Sequence, residues 1–233
     1  MSVDVFRTPN LEAIATANAR AIPLFHEVME WSPEQFADEQ FRGLVRQVFF
    51  SGGAQAVRQV LFTAVEARTD LTQLCRQIGE TLASEIKGSV AVLSRDLPGR
   101  KATSPQEIGA IDAGPLPLRD VAKRVKSNLW MLTEVAGPGK QDLSSTALYS
   151  RLCELRTEFD YSIVQGSPAG LSSEAASLGR LTDGIVLVVT AHKTRRAAAK
   201  SIKEMLEAAR TRILGVVLNE RRFPIPTSLY HRL

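Results

Sequence analysis

Gly184-Ile185-Val186-Leu187-Val188-Val189-Thr190 and Ile213-Leu214-Gly215-Val216-Val217-Leu218-Asn219, joined by a helical stretch from about Thr194 to Ala209, decide the fold. Each run is short, near-continuous and rich in β-branched side chains, the pattern of a strand buried on both faces. Two such strands separated by one helix make a right-handed βαβ unit with parallel strands. Outward from this unit, Val60-Leu61-Phe62-Thr63-Ala64 and Val90-Ala91-Val92-Leu93 repeat the signature. Leu129-Trp130-Met131-Leu132 and Tyr161 to Val164 add two shorter strands. Leu71, Leu74, Cys75, Ile78, Leu82 and Ile86 form one face of a helix, capped by Asp70 and closed by Gly88. Leu148, Leu152 and Leu155 mark another helix, and a short one falls near Ser173. The expectation is an α/β fold with a doubly wound, mostly parallel sheet and helices on both faces.

The chain opens differently. Asn10 can cap a helix from Leu11 to Ala21, which Pro23 interrupts. Ser32-Pro33-Glu34-Gln35 reads as a capping box with proline at the first helical position, and Phe41, Leu44, Val45 and Val48 follow at helical spacing. Residues 1–54 are therefore read as an N-terminal helical extension packing on the core, and residues 55–233 as the α/β domain. The stretch from Asp96 to Ser127 is irregular, with four prolines and one short helix near Leu118 to Val125.

Composition excludes several classes. At 233 residues and 44% hydrophobic, the chain can build one substantial core. Its longest apolar runs fall far short of the ~20 residues that span a bilayer. Asp4, Arg7 and Glu12 interrupt the region where a signal sequence would lie. Cys75 and Cys153 are the only cysteines, both expected to be buried thiols within helices, which fits a reducing cytoplasm. A net charge of +4 with 6% aromatic residues describes a solvated surface with no nucleic-acid motif. His26, His192 and His231 have no metal-ligand spacing.

Ligands of such sheets bind where strands end and helices begin. Here those ends read Glu66-Ala67-Arg68-Thr69-Asp70-Leu71-Thr72, Ser94-Arg95-Asp96 and Gln165-Gly166-Ser167-Pro168, and the chain contains no G-x-x-x-x-G-K-[ST]. The order of pieces is nevertheless specific. Glu39-Gln40-Phe41-Arg42 precedes Val60-Leu61-Phe62-Thr63, and Asn128-Leu129-Trp130-Met131-Leu132 follows. Then come Glu158-Phe159-Asp160-Tyr161-Ser162-Ile163-Val164, Leu181-Thr182-Asp183-Gly184 with its strand, and Leu214-Gly215-Val216-Val217-Leu218-Asn219. From about Glu39 to Asn219 the chain resembles the cytoplasmic ATPase domain of bacterial tyrosine kinases of capsule and exopolysaccharide synthesis. Those are P-loop ATPases related to partition and division-site ATPases, so the resemblance implies a P-loop NTPase-like domain.

Laid on this chain, the family's phosphate loop falls on Val65 to Thr72. Its lysine position is taken by Leu71 and the preceding glycine by Asp70, while Thr72 agrees at the magnesium-binding hydroxyl. The acidic pair after the next strand falls on Ser94 and Asp96, and the aspartate after Tyr161 to Val164 falls on Gln165. A phosphate loop closes backbone N–H groups around an anion at a helix N-terminus. A carboxylate at Asp70 can take those donors itself. At ~4 Å from a phosphate charge it costs roughly 4 kcal/mol at an effective dielectric near 20. That is about three powers of ten in affinity. Glutamine also lacks the charge that holds the magnesium water shell.

The implied function is that of a catalytically inactive scaffold or regulator in polysaccharide synthesis or export, with no catalytic residue and no ATP or magnesium. An alternative is a divergent ATPase or tyrosine kinase in which Arg68 replaces the lysine while Thr72 and Asp96 hold the metal. A third is a ligand-sensing module without turnover. Asn219 matches the position that reads the adenine edge; as an ordinary residue it is a polar strand end. Vestigial cofactor-binding positions are thus Arg68, Thr72 and Asn219. Implied partners are a membrane polysaccharide co-polymerase or adaptor, or an active ATPase paralogue, at the inner membrane. The family's E-x-x-R-x-x-R ring helix is matched by Glu39 and Arg42, but Val45 takes the last arginine position and Arg46 lies one residue on. A homo-oligomer is a weaker implication. Tyr230 stands alone where active members carry a tyrosine cluster.

Overall fold

The computed structural model describes residues 33–52, 55–67, 69–95, 117–134 and 145–220. Helix α1 (Pro33–Phe49) begins at the proline of the capping-box pattern. There follow β1 (Gln59–Ala64), α2 (Leu71–Glu85), β2 (Val90–Arg95), α3 (Leu118–Val121), β3 (Lys123–Lys126) and β4 (Leu129–Glu134). The chain continues with α4 (Ser145–Glu158), β5 (Tyr161–Gln165), α5 (Glu174–Leu181), β6 (Gly184–Thr190), α6 (Arg196–Ala208) and β7 (Ile213–Asn219). The strands form one sheet in the order β3-β4-β2-β5-β1-β6-β7. Only the pairing of β3 with β4 is antiparallel.

Helices cover both faces, as the doubly wound pattern requires. One apolar layer joins Val45, Val48 and Phe49 of α1 and Leu74, Ile78 and Leu82 of α2 to Val60, Phe62, Val92 and Val186. The other joins Leu118 of α3, Leu152 and Leu155 of α4, Leu178 of α5 and Leu206 of α6 to Leu61, Leu93, Val164 and Leu187. Every residue of β1 is buried, so its side chains alternate into the two layers. Gly79 lets α2 lie close to the sheet, since a Cβ there would stand 2.4 Å from Val92 Cγ2.

Carboxylates hold the entrance of the strands. Asp160 accepts from the Ser89 N–H at 2.7 Å and from its hydroxyl at 2.8 Å. Those bonds, with the nearby charges of Arg119 and Arg58, hold the Asp160 carboxyl below its ordinary value although burial opposes them. Asp183 accepts from the backbone N–H groups of Arg58 and Gln59, both at 2.8 Å, and pairs with Arg156. Burial pushes its carboxyl up, but these bonds together bring it below its ordinary value. Both aspartates immediately precede strands, Asp160 before β5 and Asp183 before β6.

Four expectations are corrected. β7 is not buried on both faces: among the described residues it is an edge strand, with Val216 38% and Leu218 44% exposed. Its apolar run reads like a central strand because periodicity cannot show which strand lacks an outer neighbour. The helix near Leu118 stops at Val121, and Lys123–Lys126 is an antiparallel strand whose basic, exposed residues give no apolar signal. α2 ends at Glu85 with an extended Ile86 as its cap rather than at Gly88. Cys153 is exposed whereas Cys75 is buried. The expected helix from Leu11 to Ala21 and the positions of His26, Tyr230 and His231 lie outside the described residues.

Candidate functional site

β2, β5 and β1 are neighbours in the sheet, and α2 begins just beyond the C-terminal end of β1. Two observations define this junction. Asp70 is the N-cap of α2, at φ −76° and ψ 91°, and its carboxylate accepts from the Gln73 N–H at 3.3 Å. A helix N-terminus leaves its first N–H groups without intrahelical partners, and here the chain's own carboxylate takes one. The next residue, Leu71, is 2% exposed and belongs to the apolar layer under α2. Its N–H donates to the Thr69 carbonyl at 3.0 Å.

Thr72, on the first turn of α2, donates its hydroxyl hydrogen to Gln165 Oε1 at 3.2 Å. Gln165 closes β5 and is buried. The two positions that the resemblance assigns to magnesium thus meet across the junction, and they meet each other. The Ser94 hydroxyl, at the end of β2, is buried without a hydrogen-bond partner among the described residues. Burial pushes the Cys75 thiol up, and the charge of Asp70 adds to it, so this thiol is no nucleophile. Among the described residues no three His, Cys, Asp or Glu side chains gather as metal ligands.

The loops around the junction are tied down by the chain itself. Thr69 and Thr190 share a buried hydroxyl hydrogen bond of 3.0 Å, which fastens the segment before α2 to the end of β6. Thr63 donates to the Ser167 carbonyl at 2.7 Å, and Ser167 to Glu174 at 2.5 Å. The Ala169 N–H donates to the Ala64 carbonyl at 2.8 Å. Gly170 then passes so near Val65 that a Cβ would lie 2.6 Å from its carbonyl oxygen. These ties were missed by sequence reasoning; the only signal was polar Thr63 and Thr190 at the ends of apolar runs.

Of the positions singled out in the sequence, Thr72 lies at the junction. Asn219 stands apart at the end of β7, two strands from β1, where its carbonyl accepts from the Ala191 N–H at 2.8 Å. Arg68 and Asp96 lie outside the described residues.

No protein-family model matches the chain. CapB of Staphylococcus aureus, named as a tyrosine-protein kinase, is 25% identical over 214 residues, 85% of this chain and 91% of its own length. CpsD of Streptococcus agalactiae, also named a tyrosine-protein kinase, is 32% identical over 84 residues, 36% of this chain and 37% of CpsD. Over most of its length the chain is thus similar to a tyrosine-protein kinase. Solved structures share the fold. The chimerical protein CapA2B2 superposes with a TM-score of 0.66 at 22% identity, covering 85% of this chain and 89% of the other. MinD of Aquifex aeolicus, a cell division protein, gives 0.52 at 17% identity, covering 76% and 73%. The fold is thus that of the P-loop ATPases, with a mostly parallel seven-stranded sheet. No described helix is long and apolar enough to cross a membrane.

Proposed function

We propose that this chain is a non-catalytic relative of the capsule and exopolysaccharide tyrosine kinases, a cytoplasmic scaffold or regulator of polysaccharide synthesis or export. The observation that carries the reading is Asp70. A carboxylate capping α2 consumes a helix donor that a phosphate would need and sets a negative charge in its place. Leu71 has no charge to bridge outer phosphates. The Thr72 hydroxyl gives its hydrogen to Gln165, a neutral amide where a carboxylate would hold the water shell of magnesium. Mg-ATP therefore does not fit these residues. The proposed partner is a membrane co-polymerase or adaptor, or an active ATPase paralogue, which would bring the chain to the inner membrane.

Isothermal titration with Mg-ATP and a steady-state hydrolysis assay test the reading. Neither saturable heat in the micromolar range nor turnover is expected, and either result would overturn it. The divergent-enzyme alternative through Arg68, Thr72 and Asp96 requires the opposite outcome, with turnover lost in Arg68→Ala.

A further inference from the structure

Strands β4, β2, β5, β1, β6 and β7 run parallel, so their N-terminal ends lie together, away from the α2 junction. This entrance end carries a row of exposed cations. In sheet order, Lys126 stands before β4, Lys87 before β2, Arg58 before β1, Arg180 before β6, and Arg210 and Arg212 before β7. Backbone bonds hold these approaches in register. The Val90 N–H donates to the Asn128 carbonyl, the Ser162 N–H to Arg58 and the Ile185 N–H to Arg212, each at 2.8 Å. With neighbouring strands about 4.8 Å apart, five intervals make the row ~24 Å wide.

The carboxylates of this end are mostly turned inward. Asp160 accepts from Ser89, Asp183 from the Arg58 and Gln59 N–H groups, and Glu158 from the Leu118 and Arg119 N–H groups. Asp120 of α3 is exposed there, one carboxylate against six cations. Helix termini do not account for the row. Arg180 lies in the last turn of α5, where a cation suits the helix dipole, but α2 and α6 carry none in theirs. Lys87, Arg210 and Arg212 instead stand in the connections that follow those helices.

One exposed aromatic side chain interrupts the charges. Phe50, just beyond α1, is 42% exposed and packs edge-on against Tyr161, ring centres 6.1 Å apart. Tyr161 opens β5, which lies between β2 and β1. Phe50 therefore sits between the approaches that carry Lys87 and Arg58. A flat row of cations around an exposed apolar ring matches a bilayer surface, where anionic headgroups meet acyl chains.

We propose that the entrance end of the sheet rests on an anionic lipid surface, with the cations on headgroups and Phe50 at the acyl boundary. This face lies across the sheet from Asp70, so vesicle binding and Mg-ATP titration succeed or fail separately.

Cosedimentation of the full chain with vesicles tests the contact. Binding is expected to vesicles of mixed phosphatidylglycerol and phosphatidylcholine, not to phosphatidylcholine alone, and is lost in about 1 M salt, where the Debye length is about 3 Å. Each cation near such a surface contributes about fivefold, so Lys87→Glu combined with Arg212→Glu should weaken binding at least about twentyfold. Phe50→Ala should weaken it at least about threefold. Arg195→Glu with Arg196→Glu makes the same change in net charge where α6 begins, at the other end of the sheet, and should cost less than about threefold. Absence of binding to the anionic vesicles would overturn the proposal. So would equal loss in the two charge-reversed variants, no effect of Phe50→Ala, or tighter binding to duplex DNA at the same ionic strength.

Discussion

Both ends of the central sheet use carboxylates to hold backbone N–H groups, but the donors have different origins. At the strand entrances, Asp160 and Asp183 accept from Ser89, Arg58 and Gln59, groups that precede or open β2 and β1. Without those acceptors the donors would sit unpaired beside a buried core. At the opposite end, Asp70 accepts from the first turn of α2, a donor that in this fold can also serve an anion. One arrangement therefore protects the fold, whereas the other occupies a place where chemistry could occur. The lesson is that the same carboxylate–amide bond is structural or functional according to which backbone donors it consumes.

The largest effect should come from undoing the second arrangement. Replacing Asp70 with glycine removes a repulsive charge from the N-terminus of α2. Removal of the carboxylate alone should tighten Mg-ATP binding by about a thousandfold, measured by titration calorimetry. Unchanged binding would show that the difference between the two ends does not lie in charge.

Next in size is the entrance end. Asp183→Ala leaves the buried Gln59 N–H and its neighbour unpaired and should lower stability by about 1–3 kcal/mol in urea unfolding. Its pH dependence follows in sign. The folded carboxyl values of Asp160 and Asp183 are depressed, so the unfolded state binds protons more readily. Their contribution is present above the unfolded carboxylate value of about 3.9 and is lost as pH falls below it toward the folded values. Thermal unfolding from pH 6 to pH 2 should show this acid loss, with a smaller slope in Asp183→Ala.

A smaller change is expected for Asp70→Ala, which removes an exposed helix cap and should cost about 1 kcal/mol in the same denaturation assay. If its cost matched that of Asp183→Ala, the two ends would be equally structural. Smallest of all is Arg46→Ala. Arg46 and Arg42 reach Glu85 of the same chain at 3.4 and 3.8 Å, and all three side chains are solvent-accessible. Loss of one such pair should move stability by no more than about 1 kcal/mol.

Much of the architecture is legible in the residues because burial on both faces writes itself as unbroken apolar runs. β1, β2, β5 and β6 follow directly from theirs, and α2 from its stripe of Leu71, Leu74, Cys75, Ile78 and Leu82. β3 was hidden because Lys123-Arg124-Val125-Lys126 is exposed and basic and so carries no apolar run. At the junction, the cap at Asp70 was readable, since capping is local in sequence. The Thr72–Gln165 and Thr69–Thr190 bonds were not, because their partners are 93 and 121 residues apart.

By itself, then, the sequence determined the α/β class and the position of the strand ends, and it contains no G-x-x-x-x-G-K-[ST]. Tertiary structure decided which strand is left at the edge and which polar side chains find one another. The physical reason is range. Periodicity and capping act over a few residues, whereas strand order and hydrogen bonds between distant segments exist only after the sheet has closed and excluded water.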